Sequence, residues 1–308
     1  LKQELARELN NDEILSIDII VVDTLRSETL PDLVKDTRVV ATTAGPYEKY
    51  GSPVVEACAK YGTHYCDITG EVDWVKHTEH RWQDTAKRTG AILVSLCGCD
   101  CIPWDISVMA MQDALTTTSS KQEEEEEYLE SVSFVNEFKG GISGGTLATM
   151  MLGLSGTSRG PLPSSTTSNN KEEEKEESSS SPSRQLNFQF LPPFLTKCNE
   201  PGRHKNKSMG FFLMCMVNSK QVERSLLLQK DATGTSSSSL SSSFTYKEAA
   251  AYVDFNTAFV FTAGLIPAVI MLLNPITRYL LQQYVLPSPG EGPSLLEMET
   301  KKFYGCIT

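Results

Sequence analysis

Three strand-to-turn junctions near the front of this chain limit its fold more than anything else in it. The first is Val39-Val40-Ala41-Thr42-Thr43-Ala44-Gly45-Pro46-Tyr47, followed by Gly51-Ser52-Pro53. The second is Tyr65-Cys66-Asp67-Ile68-Thr69-Gly70-Glu71, and the third runs from Ala91 through Cys97-Gly98-Cys99-Asp100-Cys101 to Pro103-Trp104-Asp105. In each, an apolar or β-prone run enters a Gly or Pro turn. Open parallel α/β sheets bind ligands at the carboxyl ends of their strands. Three such ends in close succession point to a dinucleotide-type site.

The spacing around them alternates between strand and helix. Ile17 to Asp23 is rich in β-branched residues and predicts a buried strand. Leu30 to Val34 predicts a short helix with Ser27 as its N-cap, and residues 38–44 the next strand. Ser52 and Pro53 predict the start of a helix that runs to Lys60 and ends at Gly62. His64 to Ile68 reads as a short strand, residues 72–88 as an amphipathic helix closed by Gly90, and residues 91–96 as a further strand. Such alternation predicts a parallel sheet with helices on both faces over residues 1–115.

A Thr/Ser stretch with five consecutive Glu at 116–127 reads as an acidic linker, and residues 128–308 as a second, smaller α+β domain. There Leu129 to Phe138 alternates like a strand, and Gly140 to Thr146 forms a Gly-rich turn before a helix at Leu147–Leu154. Residues 155–185 and 231–243 are low-complexity, predicted to be disordered surface insertions because they cannot bury a core. The apolar segment 255–273 is the longest in the chain, with no charge between Asp254 and Arg278. Crossing a bilayer takes ~20 apolar residues. Three readings stand for it: a transmembrane helix, a hairpin dipping into a membrane or lipid surface, or a buried or homodimer-interface helix.

The chain has a formal net charge of -11 and a pI of about 5.0. A nucleic-acid partner is not expected, because phosphate backbones call for a basic face. The eight Cys are scattered and the four His dispersed, so no metal site is expected. No secretory signal is visible at the start, and a membrane-associated or lipid-droplet protein facing the cytosol is the expectation. The chain opens at Leu1 in a helical pattern and closes at Thr308 without a stop-like tail, so it reads as truncated at both ends.

Local chemistry nominates particular residues. Gly45 lets backbone approach a ligand and Pro46 fixes the exit direction, which suits a loop against a nicotinamide ribose. Tyr47 can stack on a ring or simply pack. Asp67 and Glu71 bracket Gly70 at a strand end, where a carboxylate can orient a ligand. Acidic residues also favour helix N-termini, and Glu71 opens the helix that follows. Asp105 is read as a helix cap. Asp100, in the turn with Gly98, is the better ligand candidate. No nucleophile arrangement is apparent, and no catalytic residue is assigned.

The order Gly-Pro-Tyr, Tyr-Gly-x-Pro-Val-Val-x-Ala-Cys, Tyr-Cys-Asp-Ile-x-Gly-Glu, then Gly-x-Asp-x-Ile-Pro-x-Asp resembles the saccharopine dehydrogenase-like oxidoreductases, whose relatives include the trans-acting enoyl reductases. The resemblance covers residue 1 to about 115, then Ser143-Gly144-Gly145-Thr146, and again Ala249 to Phe303, with Pro289 to Ser294 similar to the family's Gly-Pro-Ser turn. Cys99 and Cys101 depart from it, standing where the family usually has Phe and Ser. So does the start of the chain, which lies after the family's Gly-rich phosphate-binding turn.

The resemblance implies a Rossmann-type domain for NAD or NADP with its first βαβ unit missing, then an α+β domain over the cofactor. It implies Gly45, Pro46, Tyr47, Asp67, Gly70, Glu71, Gly98 and Asp100 as the cofactor side of the site. It further implies lipid or glycolipid metabolism on a hydrophobic substrate at a membrane or lipid-droplet surface. The alternatives are a non-catalytic membrane-associated binding protein that keeps the scaffold, and a non-functional fragment.

Overall fold

The computed structural model describes residues 2–8, 12–119, 129–138, 144–154, 187–188, 197–198, 206–233, 240–287, 292 and 303–307. A short helix α1 (Lys2–Glu8) is followed by 3-10 turns at 12–16 and 27–29 and a helix α2 (Leu30–Val34). Then come β1 (Val39–Thr42), α3 (Tyr47–Tyr61), β2 (His64–Asp67), α4 (Val72–Thr89), β3 (Leu93–Val94) and α5 (Ile102–Ser119). β1, β2 and β3 form a parallel sheet in that order, with Thr42 opposite Asp67 and Cys66 opposite Val94. The expected α/β class is therefore what the chain adopts. Gly62 and Gly90 close α3 and α4 in the left-handed region, at φ +77° and +80°, as the sequence predicts.

A core of Leu30, Val34, Val54, Val55, Tyr65 and Trp74 fills the space between the parallel sheet and its helices. The Trp74 indole lies so close to α3 that a Cβ at Gly51 would meet it at 2.9 Å. That approach explains a helix-weakening glycine in mid-helix.

The second half is built on a five-stranded sheet. Its strands are β4 (Leu129–Phe138), β5 (Asn187–Phe188), β6 (Ser208–Gly210), β7 (Leu240–Tyr252) and β8 (Phe303–Ile307). β7 pairs β4 and β5 in parallel and β6 antiparallel, while β8 runs antiparallel along β4. α6 (Gly144–Leu154) follows β4, and α7 (Cys215–Thr233) precedes β7. Val132 and Phe134 of β4 and Phe244 and Tyr246 of β7 meet Trp104 and Val108 of α5 and Val222 of α7 in a second core. α5 is thus shared, following the first sheet in sequence and packing on the second.

β7 leads into α8 (Phe255–Leu273), whose first turn is capped by Asp254 accepting from the Thr257 N–H at 2.8 Å. α9 (Pro275–Tyr284) follows, with the Asn274 side chain accepting from the Ile276 and Thr277 N–H groups. Of α8, Ala258 and Thr262 are buried, while Phe259, Val260, Phe261, Ile266, Ile270 and Leu273 are exposed.

Several local expectations are corrected. Ile17 to Asp23 forms no strand, and Val21 is 94% exposed. A strand needs a hydrogen-bonded neighbour. Among the described residues β1 pairs with β2 and nothing pairs with 17–23. α3 begins at Tyr47, five residues ahead of the expected Ser52, and α6 at Gly144 rather than Leu147. Ser27 is no cap: Thr29 occupies the N-cap of α2 and makes no side-chain capping bond. Asp105 sits inside α5 and bonds to α7. The stretches expected at 116–127 and 231–243 are partly ordered elements, since α5 runs to Ser119, α7 to Thr233 and β7 starts at Leu240. The expected insertion at 155–185 lies outside the described residues.

Candidate functional site at the carboxyl edge of the parallel sheet

Three loops leave the carboxyl ends of β1, β2 and β3. After β1, the Ala44 N–H donates to Thr42 Oγ1 at 3.2 Å, and a cis Gly45–Pro46 bond leads into α3. The Tyr47 hydroxyl donates to the Thr42 carbonyl at 3.1 Å while its ring packs on Trp74, centroids 5.8 Å apart. Tyr47 is buried, so of its two readings packing describes it. Burial pushes its phenol up to about 12.

Asp67 ties the second loop to the third. Its Oδ1 accepts the Thr69 and Leu96 N–H groups at 3.0 and 3.1 Å, its Oδ2 accepts the Ser95 hydroxyl at 2.9 Å, and its carbonyl accepts the Cys97 N–H at 2.8 Å. Leu96 sits at φ +62°, a region costly for a branched side chain. Its N–H bond to Asp67 helps to hold it there. Burial raises the Asp67 pKa, against the pull of these donors. Asp67 is therefore a positioning residue that faces the loops.

Glu71 serves a helix other than the one it opens. Its Oε1 accepts the Tyr47 N–H at 2.8 Å and the Thr149 hydroxyl at 3.2 Å, and its Oε2 accepts the Glu48 N–H at 2.7 Å. Two orphan donors of the first turn of α3 are satisfied by one carboxylate. This bidentate cap is why α3 starts at Tyr47. Burial raises the Glu71 pKa and the donated bonds oppose the rise.

Beside it lies a cavity of about 320 Å³, within the range of small-molecule sites. Gly70, Glu71, Val72 and Trp74 form one wall, and Thr149, Met150 and Leu152 of α6 the other. A Cβ at Gly70 would meet nothing nearer than Val217 Cγ2 at 4.0 Å, so the loop leaves room for a ligand. Gly45 and Gly98 are tighter: a Cβ there would meet Tyr47 at 3.2 Å and Asp100 Oδ1 at 2.3 Å. The structure thus brings Tyr47, Gly70 and Glu71 together, sets Asp67 behind them, and leaves Asp100 exposed in the turn after β3. The α6 residues escaped sequence reading. The Gly-rich turn before them was the only signal.

This donor set is selective about what it can hold. Among the described residues no Lys, Arg or His lines the cavity, and the α3 N–H groups that would greet a phosphate already hold Glu71. Among the described residues the cavity offers no cradle for the pyrophosphate of a dinucleotide. Among them no group of three or more His, Cys, Asp or Glu could hold a metal ion.

A parallel βαβαβ unit with a cavity at its carboxyl edge, joined to a mixed sheet, defines a Rossmann-type α/β protein of two halves. No family model matches the chain. A trans-acting enoyl reductase of Mycobacterium tuberculosis is 38% identical over 143 residues, 46% of this chain and 33% of that protein. A trans-acting enoyl reductase of Mycobacterium bovis is 28% identical over 287 residues, 90% of this chain and 64% of that protein. The chain thus spans about a third to two thirds of the length of these relatives. Apo saccharopine dehydrogenase (L-Glu forming) from Saccharomyces cerevisiae aligns over 45% of this chain and 27% of its own, with a TM-score of 0.35 and 14% identity. At that score the likeness says nothing about the site. The sequence matches agree with the resemblance read from the motifs: the chain is similar in sequence to trans-acting enoyl reductases.

Proposed function

We propose that the chain is the greater part of the cofactor and substrate site of an NAD- or NADP-dependent oxidoreductase that reduces or oxidises a hydrophobic, lipid-type substrate. The observation that carries this reading is the cavity at the carboxyl edge of the parallel sheet, walled by Val72, Trp74, Met150 and Leu152. Such a wall suits an acyl or isoprenoid group, and its described residues offer no cation for a multiply carboxylated substrate. Gly45, Pro46, Tyr47, Gly70 and Gly98 line the loops on the nicotinamide side, with Asp100 at their rim. Asp67 holds two of those loops in register, and Glu71 holds the start of α3. The nicotinamide, when bound, supplies or accepts the hydride.

The exposed apolar face of α8 supports a place at a membrane or lipid-droplet surface, on the cytosolic side, with lipid or glycolipid metabolism as the setting. α8 is 19 residues long with a mean hydropathy of 1.9 and only 11% buried in the structure. The competing use of that face is a homodimer contact.

A second reading, a non-catalytic lipid-binding protein, is favoured by one observation. Glu71, the half-buried carboxylate of the cavity, is engaged by Tyr47, Glu48 and Thr149, and among the described residues lining the cavity there is no His, Lys or Cys beside it. Titrating the full-length protein with NADH and NADPH, then following loss of reduced cofactor with a long-chain 2-enoyl ester, separates the readings. Saturable cofactor binding with turnover is the expected result. Binding of the ester without any cofactor binding overturns the oxidoreductase reading.

A further inference from the structure

α7 packs on the second sheet and also reaches the first half of the molecule. Its Val217 approaches Gly70, and its Arg224 pairs with Glu79 of α4. Asn218, the residue after Val217, donates Nδ2 to Glu248 Oε1 at 3.0 Å. Glu248 stands on β7 with 2% of its surface exposed, and its Oε2 meets no hydrogen-bond partner among the described residues. The groups around it are Tyr246 on its own strand, Asn136 on β4, Cys101 and Asp105 on α5, and Cys215 and Asn218 on α7. None is a cation, and no ion pair to Glu248 occurs among the described residues. A negative charge there is desolvated and is met only by uncharged polar side chains, those of Asn218, Tyr246 and Asn136.

We infer that Glu248 is a protonation switch on α7: with its proton it holds Asn218, and with it α7, against the second sheet, and without it α7 loosens. The neutral acid needs no counter-charge and keeps the Asn218 bond. Its ionised form gains solvation only when α7 lifts away.

The response belongs near neutrality. Burial pushes the Glu248 pKa up to about 7, while the Asn218 donor pulls the other way. Tyr246, Cys101 and Cys215 are all pushed up by burial and stay protonated through that range. Asp105 is raised by burial too; its Oδ2 accepts the Ser225 hydroxyl at 2.8 Å and the Gln221 amide at 3.2 Å, two donors from α7 where Glu248 has one, while its Oδ1 is left without a partner among the described residues. With a lifted-state value of 4.5 and a docked value of about 7, linkage makes opening of α7 roughly tenfold more favourable at pH 8 than at pH 6.

The test is hydrogen–deuterium exchange with mass spectrometry on the full-length protein at pH 6 and pH 8, corrected for intrinsic exchange. The wild-type peptides covering 215–226 are expected to lose roughly tenfold in protection, with those of α3 and α4 unchanged. Glu248→Gln should abolish the loss and Asp105→Asn should leave it. The inference is overturned if α7 protection is equal at both pH values, if α3 and α4 lose as much as α7, or if Asp105→Asn and not Glu248→Gln removes the response. Should Glu248→Gln fail to fold, the wild-type comparison of α7 with α3 and α4 still decides.

Discussion

The carboxylate of Glu71 grips the backbone of Tyr47 from 24 residues along the chain, and in doing so sets where α3 begins. The same carboxylate takes the Glu48 N–H and the Thr149 hydroxyl. One side chain therefore joins the β1 loop, the β2 loop and α6. Glu71→Ala leaves two backbone donors unsatisfied and is expected to cost about 1–2 kcal/mol. Urea unfolding should show this as a lower midpoint at unchanged slope. An unchanged midpoint would show that the cap contributes nothing.

Two glycines near the cavity should respond oppositely to a methyl group. At Gly51 the added Cβ meets Trp74 Cζ2 at 2.9 Å and Cη2 at 3.2 Å. Gly51→Ala is expected to cost about 1–3 kcal/mol through overpacking. At Gly70 the nearest atom is 4.0 Å away, so Gly70→Ala should leave stability within about 0.5 kcal/mol. Melting temperatures of the two variants, measured side by side, check the contrast.

The fold should respond to pH through Asp67. Its native pKa is raised by burial above the ordinary value of 3.8. The native state therefore holds this proton more tightly than the unfolded chain does. The stability from this group is full below the ordinary value and declines as pH rises through the raised one. Asp67→Asn should flatten that acidic-range decline, because the amide oxygen still accepts the Thr69 and Leu96 N–H groups. Melting temperature against pH for the two proteins tests it, and parallel curves would rule the assignment out.

α8 offers the simplest test of the lipid-surface reading. Ile266 and Ile270 are 67% and 61% exposed, so charge there should not disturb the core. Ile266→Asp with Ile270→Asp is expected to abolish co-flotation with phosphatidylcholine vesicles while the circular dichroism spectrum stays the same. If flotation persists in the double variant, this face does not contact lipid.

Legibility in the sequence followed the range of the interaction. β4 at Leu129–Phe138 and α8 at Phe255–Leu273 match their expected limits, because alternation and an uninterrupted apolar run are local signals. The ends of α3 and α4 at Gly62 and Gly90 were legible for the same reason. Ile17 to Asp23 was not, since β-branched composition cannot say whether a pairing strand stands beside it. The start of α3 was hidden because its cap comes from Glu71, far along the chain. Of the candidate site, the β1 and β2 loops could be read from their Gly and Pro turns. Trp74, Thr149, Met150 and Leu152 could not, because nothing local links α4 to α6. Glu248 went unnoticed since an acidic residue on a strand says nothing of burial until α7 is laid over it.

Asp67 receives bonds from the backbone of Thr69 on one side and from Leu96 and Ser95 on the other. The two loops are geared together through a single side chain. The Gly70 turn and the Cys97–Cys101 turn, where α5 starts on its way to the second sheet, are thereby anchored on one residue.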